Sequence, residues 1–90
     1  MGFTAVQMKL MPESPDSDLK AIEKKAEETI NSFHKTQVKI EEEPIAFGLN
    51  AIILSFAWND EIDTEKLEAE LQKIENVSSV ETLDIRKAFG

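Results

Sequence analysis

Side chains able to do chemistry are few in this 90-residue chain, and their spacing limits what they could do. The single histidine, His34, would serve as a general base only beside a nucleophile and an orienting group, and the sequence identifies neither. Cysteine is absent, which excludes thiol catalysis, thiolate metal sites and disulfides. We interpret His34 as a residue at the C-terminal end of a helix, where the helix dipole favours a cation.

Carboxylates dominate the charged residues, with 18 Asp and Glu against 10 Lys and Arg. Glu41, Glu42 and Glu43 do not predict a metal site, because successive side chains of an extended segment point to opposite faces. They are interpreted as a solvated charge run that protects a strand edge. The segment 59–70 alternates polar and acidic residues as a calcium loop does, but Thr64 stands where that loop requires glycine. Capping of a helix is the favoured interpretation of this segment, and weak calcium binding is its alternative.

Several classes of partner are excluded by composition. Phosphate-cradling loops need several closely spaced glycines, and Gly48 is the single interior glycine. A net charge of −8 disfavours binding to nucleic acids and to anionic membranes. It is compatible with a basic protein partner, and solubility explains it equally well. The longest apolar run, Ala51 to Leu54, is too short to cross a bilayer, and the first residues do not resemble a signal peptide. We expect a cytoplasmic protein without cofactor, metal, nucleic acid or membrane.

The periodicity of apolar residues predicts a single domain over residues 1–90. Alternation marks strands at about 6–10, 38–41, 52–58 and 80–85, the last with some irregularity. Apolar stripes with spacings of three and four mark two helices, one entered through Ser14, Pro15 and Asp16 and ending at Phe33, the other capped by Asp63 or Thr64. This βαββαβ order predicts an α+β, ferredoxin-like two-layer sandwich, in which a four-stranded antiparallel sheet carries both helices on one face.

Phe47 stands directly before Gly48, where the backbone is freest to turn. Turns favour small or polar residues, so the ring is expected either to plug the core at a bulge or to be offered to another protein. Trp58, at the end of the third strand, is interpreted as a core residue rather than a ligand platform. Arg86 and Lys87 lie near a flexible carboxyl terminus, as a solvated tail or as a cationic tip for a partner.

The segment from Pro44 to Ile52, PIAFGLNAI, resembles the Pro-Ile/Val-Gly-aromatic-Gly-Ile segment of the guanine-nucleotide exchange domains of the translation elongation factor 1-beta family. The resemblance covers essentially the whole chain, from KLMPESPDSDL to VETLDIRKAFG, and the compact length is similar to that of archaeal members. It implies a ferredoxin-like fold and a protein that promotes replacement of GDP by GTP on the GTPase elongation factor 1-alpha. Such a factor performs no chemical step of its own, and we expect it to be a monomer when free.

The resemblance also implies which residues contact the GTPase. By position, Phe47 corresponds to the aromatic residue that enters a pocket on the GTPase in the eukaryotic domain. A near-terminal lysine of that domain enters the magnesium site, but its place falls on Gly90 here, and Arg86 and Lys87 are the nearby cations. The residues implied for partner binding are Pro44, Ala46, Phe47, Gly48, Arg86 and Lys87.

The chain departs from the family pattern beside the aromatic residue. Ala46 replaces the first glycine of the turn, and Asn50 and Ala51 replace two lysines that follow it, which removes positive charge there. The alternative function is a small-molecule-binding regulatory domain of the same fold that acts as a dimer. A ligand-free dimer without affinity for the GTPase would favour that alternative.

Overall fold

A computed structural model of the chain describes residues 3–59 and 63–89, with side chains for residues 4–59 and 63–86. Its elements are β1 (Phe3–Pro12), α1 (Leu19–Phe33), β2 (Val38–Pro44), a single 3-10 turn (Ala46–Gly48), β3 (Asn50–Asn59), α2 (Thr64–Gln72) and β4 (Val77–Phe89). The strands form one antiparallel sheet in the order β2-β3-β1-β4. The predicted ferredoxin-like α+β fold is therefore confirmed.

The hydrophobic core lies between one face of the sheet and the two helices. Alternate residues of β1 and β3 are buried in it, because successive side chains of a strand point to opposite faces. They pack against the apolar stripes of α1 and α2. The buried residues of this core are Val6, Met8, Leu10, Ile22, Ala26, Ile30, Val38, Ile52, Leu54, Phe56, Trp58, Leu67, Leu71 and Val77.

Trp58 belongs to this core, as predicted, with its side chain almost completely buried. Its indole meets the ring of Phe56 edge-on at a centroid distance of 5.5 Å, and the rings of Phe33 and His34 each lie 6.0 Å away. His34 is the C-cap residue of α1, and its backbone N–H donates to the carbonyl of Ile30 at 3.1 Å. The predicted location of His34 at a helix end is confirmed, and its ring helps to close one end of the core.

The start of α1 differs from the prediction. Ser14 and Pro15 do not begin the helix, because residues 14–17 form a turn in which the Ser17 N–H donates to the Ser14 carbonyl at 3.1 Å. The N-cap is Asp18, whose carboxylate accepts from the Ala21 N–H at 3.2 Å. Serine, proline and aspartate favour turns as strongly as they favour helix starts, so the run 14–18 offered several cap positions of similar quality.

The start of α2 follows the prediction. Asp63 is its N-cap, and the carboxylate accepts from the Glu65 N–H at 2.9 Å. Residues 60–62 of the segment compared with a calcium loop lie outside the described residues. None of the described helices has the length and apolar character needed to cross a bilayer.

β4 is longer than the sequence predicts. It is also irregular, which the sequence does predict. It pairs with β1 from Val77 to Phe89 with three shifts of register, one of which leaves Leu83 opposite no residue of β1. Arg86 and Lys87 pair with Ala5 and Thr4, so the alternative of a solvated tail is wrong, whereas that of a cationic tip for a partner stays a prediction. The cause is the early start of β1, whose backbone groups remain available for pairing beyond the last alternating residues of β4.

Candidate partner-binding site

The connection between β2 and β3 is a tight, hydrogen-bonded turn that carries Phe47 at its apex. The strands end at the pair Pro44 and Asn50, and the Ile45 N–H donates to the Leu49 carbonyl at 2.8 Å. Within the turn, Phe47 and Gly48 have φ of 64° and 76°, in the left-handed region. The turn is thus closed by backbone bonds, and two consecutive left-handed residues set the direction of the ring.

The Phe47 side chain is 93% exposed, so the alternative that it plugs the core is wrong. A left-handed conformation costs a residue with a Cβ roughly 1–2 kcal/mol, and glycine avoids that cost. The backbone conformation at this position therefore disfavours a side chain, and exposure to water disfavours an apolar one. Phe47 nevertheless places a large apolar ring there. Strained and exposed aromatic residues of this kind are typical of surfaces that bind another protein.

A second loop lies next to the turn. A Cβ placed on Gly48 would lie 4.0 Å from the Cβ of Pro15, in the loop between β1 and α1. Pro15, Pro44 and Ala46 are exposed apolar residues of the turn and of the loop next to it. Sequence reasoning did not identify Pro15 as part of this site, because only the sheet register brings two segments some thirty residues apart in sequence to the same edge.

The two cationic residues lie at the opposite end of the sheet from Phe47. Arg86 pairs with Ala5, and Ala5 pairs with Ala57 of β3. Seven residue steps of about 3.3 Å separate Ala57 from Asn50 at the turn, a distance of about 23 Å. The structure thus brings Pro44, Ala46, Phe47 and Gly48 together and places Arg86 and Lys87 elsewhere.

Arg86 is held by a neighbour on its own strand. Its Nε lies 2.8 Å from Oδ2 of Asp84, two residues earlier and on the same face. The Arg86 side chain remains 81% exposed, so its guanidinium is still accessible to a partner. This ion pair orients the cation but also reduces the net positive charge at this end.

The acidic run of β2 lies on a sheet edge, as predicted. β2 is an outer strand, and Glu41, Glu42 and Glu43 are all exposed. Across the ranges 3–59 and 63–89, no group of three His, Cys, Asp or Glu side chains is placed to hold a metal ion. The run therefore adds negative charge along the strand that leads into the Phe47 turn.

Behind this run, Glu23 of α1 is 9% exposed and lies beside Glu42 of β2. The Nζ of Lys20 is 3.6 Å from Oε1 of Glu23 and 3.7 Å from Oε2 of Glu42, while Oε2 of Glu23 has no hydrogen-bond partner within the described part of the chain. Burial raises the pKa of Glu23 above its ordinary value of 4.5, the Glu42 carboxyl raises it further, and Lys20 opposes both effects. Glu23 therefore holds a proton more tightly in the folded protein.

We expect Glu23→Gln to stabilise the protein at neutral pH by about 1 kcal/mol, because a neutral amide avoids the cost of a buried charge that lies beside Glu42 and has an oxygen without a hydrogen-bond partner in the described part of the chain. A carboxyl with a higher pKa when folded contributes stability that is complete below about pH 4.5 and is lost as the pH rises through the folded pKa. Urea unfolding from pH 4 to pH 8 should show the gain of the variant over wild type growing with pH and then levelling. Glu28→Gln, on the exposed side of α1, is the matched control. A Glu23→Gln variant less stable than wild type at pH 8 would contradict this account.

Comparison with known proteins relates this arrangement to one family. Residues 5–88 match the family model of the EF-1 guanine nucleotide exchange domain. The chain is 44% identical to the elongation factor 1-beta of Methanothermobacter thermautotrophicus, over 97% of this chain and 98% of that protein. It is also 44% identical to the elongation factor 1-beta of Methanobrevibacter smithii, with the same coverage, and 40% identical to that of Methanosarcina barkeri, over 94% of this chain and 97% of that protein.

These matches include the Phe47 turn and nearly all of β4, and they favour an exchange domain over the alternative of a small-molecule regulatory domain. The sheet order, the two helices and the exposed aromatic turn agree with the resemblance found in the sequence. The chain therefore belongs to the EF-1 guanine nucleotide exchange domain family.

Proposed function

We propose that the chain promotes replacement of GDP by GTP on the translation GTPase elongation factor 1-alpha, and that Phe47 enters that GTPase as a wedge. The observation that supports this role is the 93% exposed ring, held in a left-handed conformation by a turn with a backbone bond of 2.8 Å. Pro44, Ala46 and Gly48 shape the surface around the ring. This role requires no covalent change in any of these residues.

The energy required is compatible with one buried ring and its surround. A thousandfold faster release of GDP needs a barrier lower by about 4 kcal/mol, at roughly 1.4 kcal/mol for each factor of ten. Burial of one phenylalanine contributes about 1.5–3 kcal/mol. The rest must come from other contacts, such as those of the exposed prolines beside the ring or of a second surface.

Binding energy speeds release only when it is larger for the empty GTPase than for the GDP-bound form. If the factor lowers the affinity for GDP by some ratio, GDP lowers the affinity for the factor by the same ratio. A rigid turn suits this task, because little further ordering of Phe47 is needed when the ring is buried. The factor then dissociates when the new nucleotide binds.

A second contact is proposed at the other end of the sheet, where Arg86 and Lys87 approach the magnesium ion of the nucleotide site. The guanidinium of Arg86 is exposed and oriented by Asp84. A cation placed there competes with magnesium for the phosphates of GDP. Displacement of magnesium weakens the binding of GDP to the GTPase. Because about 23 Å separates this end from the turn, the GTPase would be contacted at two separate places.

Release of a fluorescent GDP analogue from elongation factor 1-alpha tests the proposed function directly. The wild-type chain should accelerate release in a saturable manner, and an unchanged rate at saturating factor would refute the proposal. Arg86→Ala combined with Lys87→Ala should slow the stimulated rate about three- to tenfold, with the largest loss at high magnesium. The matched control is Lys24→Ala with Lys25→Ala, the other adjacent basic pair, exposed on α1. Equal effects of the two double variants would argue against a specific second contact.

A further inference from the structure

Acidic residues flank the exposed turn, and contacts within the fold account for only some of them. We define the tip as residues 13–18 together with residues 41–49, the loop after β1 and the end of β2 with its turn. Within these segments the sequence has no Lys or Arg. The carboxylates of the tip are Glu13, Asp16, Asp18, Glu41, Glu42 and Glu43, all of them exposed.

The sheet brings these two segments to the same edge as the ring. The Glu13 N–H donates to the Asn76 carbonyl at 2.9 Å, which fixes the loop after β1 to the start of β4. Glu43 pairs with Ala51, one step before the turn, and Pro15 lies next to Gly48. The apolar ring therefore has negatively charged chain on both sides.

Two of the six carboxylates have structural tasks. Asp18 caps α1, and Glu42 lies 3.7 Å from Lys20, the basic residue nearest to it. The others, Glu13, Asp16, Glu41 and Glu43, are exposed side chains in the two segments that flank the apolar ring of Phe47. An apolar centre with a charged rim is the usual organisation of a protein-binding surface.

We infer that the tip recognises an apolar pocket whose rim is lined by Lys and Arg, and, if the proposed function holds, that this pocket lies on the GTPase. On this inference the burial of Phe47 sets the dissociation rate of the complex, and the carboxylates raise its association rate. Charges at a rim act over a distance and change mainly the association rate, whereas a buried aromatic anchor changes mainly the dissociation rate. The inference therefore specifies the chemistry of the partner's surface.

Other occupants of the tip are disfavoured by the same charges. Nucleic acids and anionic lipids would be repelled by six carboxylates in segments that lack Lys and Arg. The tip of a second copy of this chain would bring like charges together. A basic protein surface is the occupant whose charge complements this one.

The test compares two variants of equal charge. The tip variant combines Glu13→Gln, Asp16→Asn and Glu43→Gln, whereas the control variant combines Glu27→Gln, Glu28→Gln and Glu65→Gln on the helices. Each changes the net charge from −8 to −5 and leaves both N-caps intact. Stopped-flow mixing with nucleotide-free elongation factor 1-alpha, at several salt concentrations, gives the association and dissociation rates.

The tip variant is expected to associate about three- to tenfold more slowly than the control at low salt and at the same rate at high salt, because salt screens the rim. Its dissociation rate should stay within twofold of wild type. Equal slowing by both variants would show that net charge alone acts and would overturn the inference. Faster association of the tip variant would overturn it too, because the facing surface would then be acidic.

Phe47→Ala in the same instrument separates this inference from the proposed function. If Phe47→Ala dissociates from the GTPase and promotes nucleotide exchange like wild type, Phe47 has no part in the proposed mechanism. If Phe47→Ala dissociates about 10- to 100-fold faster while the tip variant associates normally, the proposed function stands and the charged rim is refuted. Circular dichroism melts of all variants show that each is folded at the assay temperature.

Discussion

Replacing Phe47 by alanine is expected to remove most of the acceleration of GDP release, by about 10- to 100-fold, without unfolding the protein. Burial of the ring in the partner is worth about 1.5–3 kcal/mol, and each 1.4 kcal/mol changes a rate about tenfold. The ring is 93% exposed in the free protein, so its loss removes almost no contact from the fold. Release of fluorescent GDP, titrated with the variant, measures the first effect, and thermal unfolding measures the second.

Two further variants make this result interpretable. Leu83→Ala truncates another exposed apolar side chain, 43% exposed and at the irregularity of β4, and should leave exchange unchanged. Phe47→Gly should lose exchange like the alanine variant but gain about 0.5–1 kcal/mol of stability, because glycine relieves the left-handed conformation. Full exchange activity in folded Phe47→Ala protein would exclude the wedge.

Trp58→Ala is expected to cause the largest loss of stability, about 3–5 kcal/mol. The indole is 1% exposed and contacts the rings of Phe33, His34 and Phe56, so its removal leaves a large cavity at one end of the core. Domains of this size have a total stability of about 5–15 kcal/mol, so the variant would retain only part of it. Urea unfolding followed by circular dichroism measures the change directly.

This prediction also tests whether stability and exchange are separate. Trp58 lies at the end of β3 away from the Phe47 turn, and Thr4 joins it to Lys87 of the proposed second contact. The folded fraction of Trp58→Ala should therefore lose no more exchange activity per molecule than the double variant of Arg86 and Lys87. Ala57→Ser, the exposed neighbour on the other face, is the control and should change stability by less than about 0.5 kcal/mol. A loss below 1 kcal/mol in Trp58→Ala would mean that the core closes over the missing ring.

Most of the fold was predictable because the signals that define it are local. Alternation predicted β1 and β3 as strands, and the spacing of Leu67 and Leu71 predicted the inward face of α2. β3 is apolar or small on both faces, so its alternation did not decide which face packs against the helices. Irregular alternation near Leu83 predicted an irregular strand, and the structure shows a shift of register there. The start of α1 was not predictable in the same way, because Ser14 and Asp18 are both good N-cap residues and the turn at 14–17 decides between them.

The candidate site was predictable only in part. The sequence drew attention to Phe47 through its place beside Gly48 and through the resemblance to exchange domains, but it did not decide whether the ring was buried. Pro15 carries no signal of its own. For Arg86 and Lys87 the sequence left a solvated tail and a cationic tip as alternatives, since nothing in their own segment shows that Ala5 and Thr4 of β1 pair with them.

The sequence by itself determined the types and order of the elements and the apolar faces of the two helices and of β1, since these follow from the periodicity of neighbouring residues along one strand or helix. Only the tertiary structure decided which distant segments meet. Pairing among β1, β3 and β4 placed the aromatic turn and the basic pair at opposite ends of one sheet, because register joins residues far apart in the chain. The tertiary structure also decided the exposure of Phe47, because backbone hydrogen bonds close its turn outside the core.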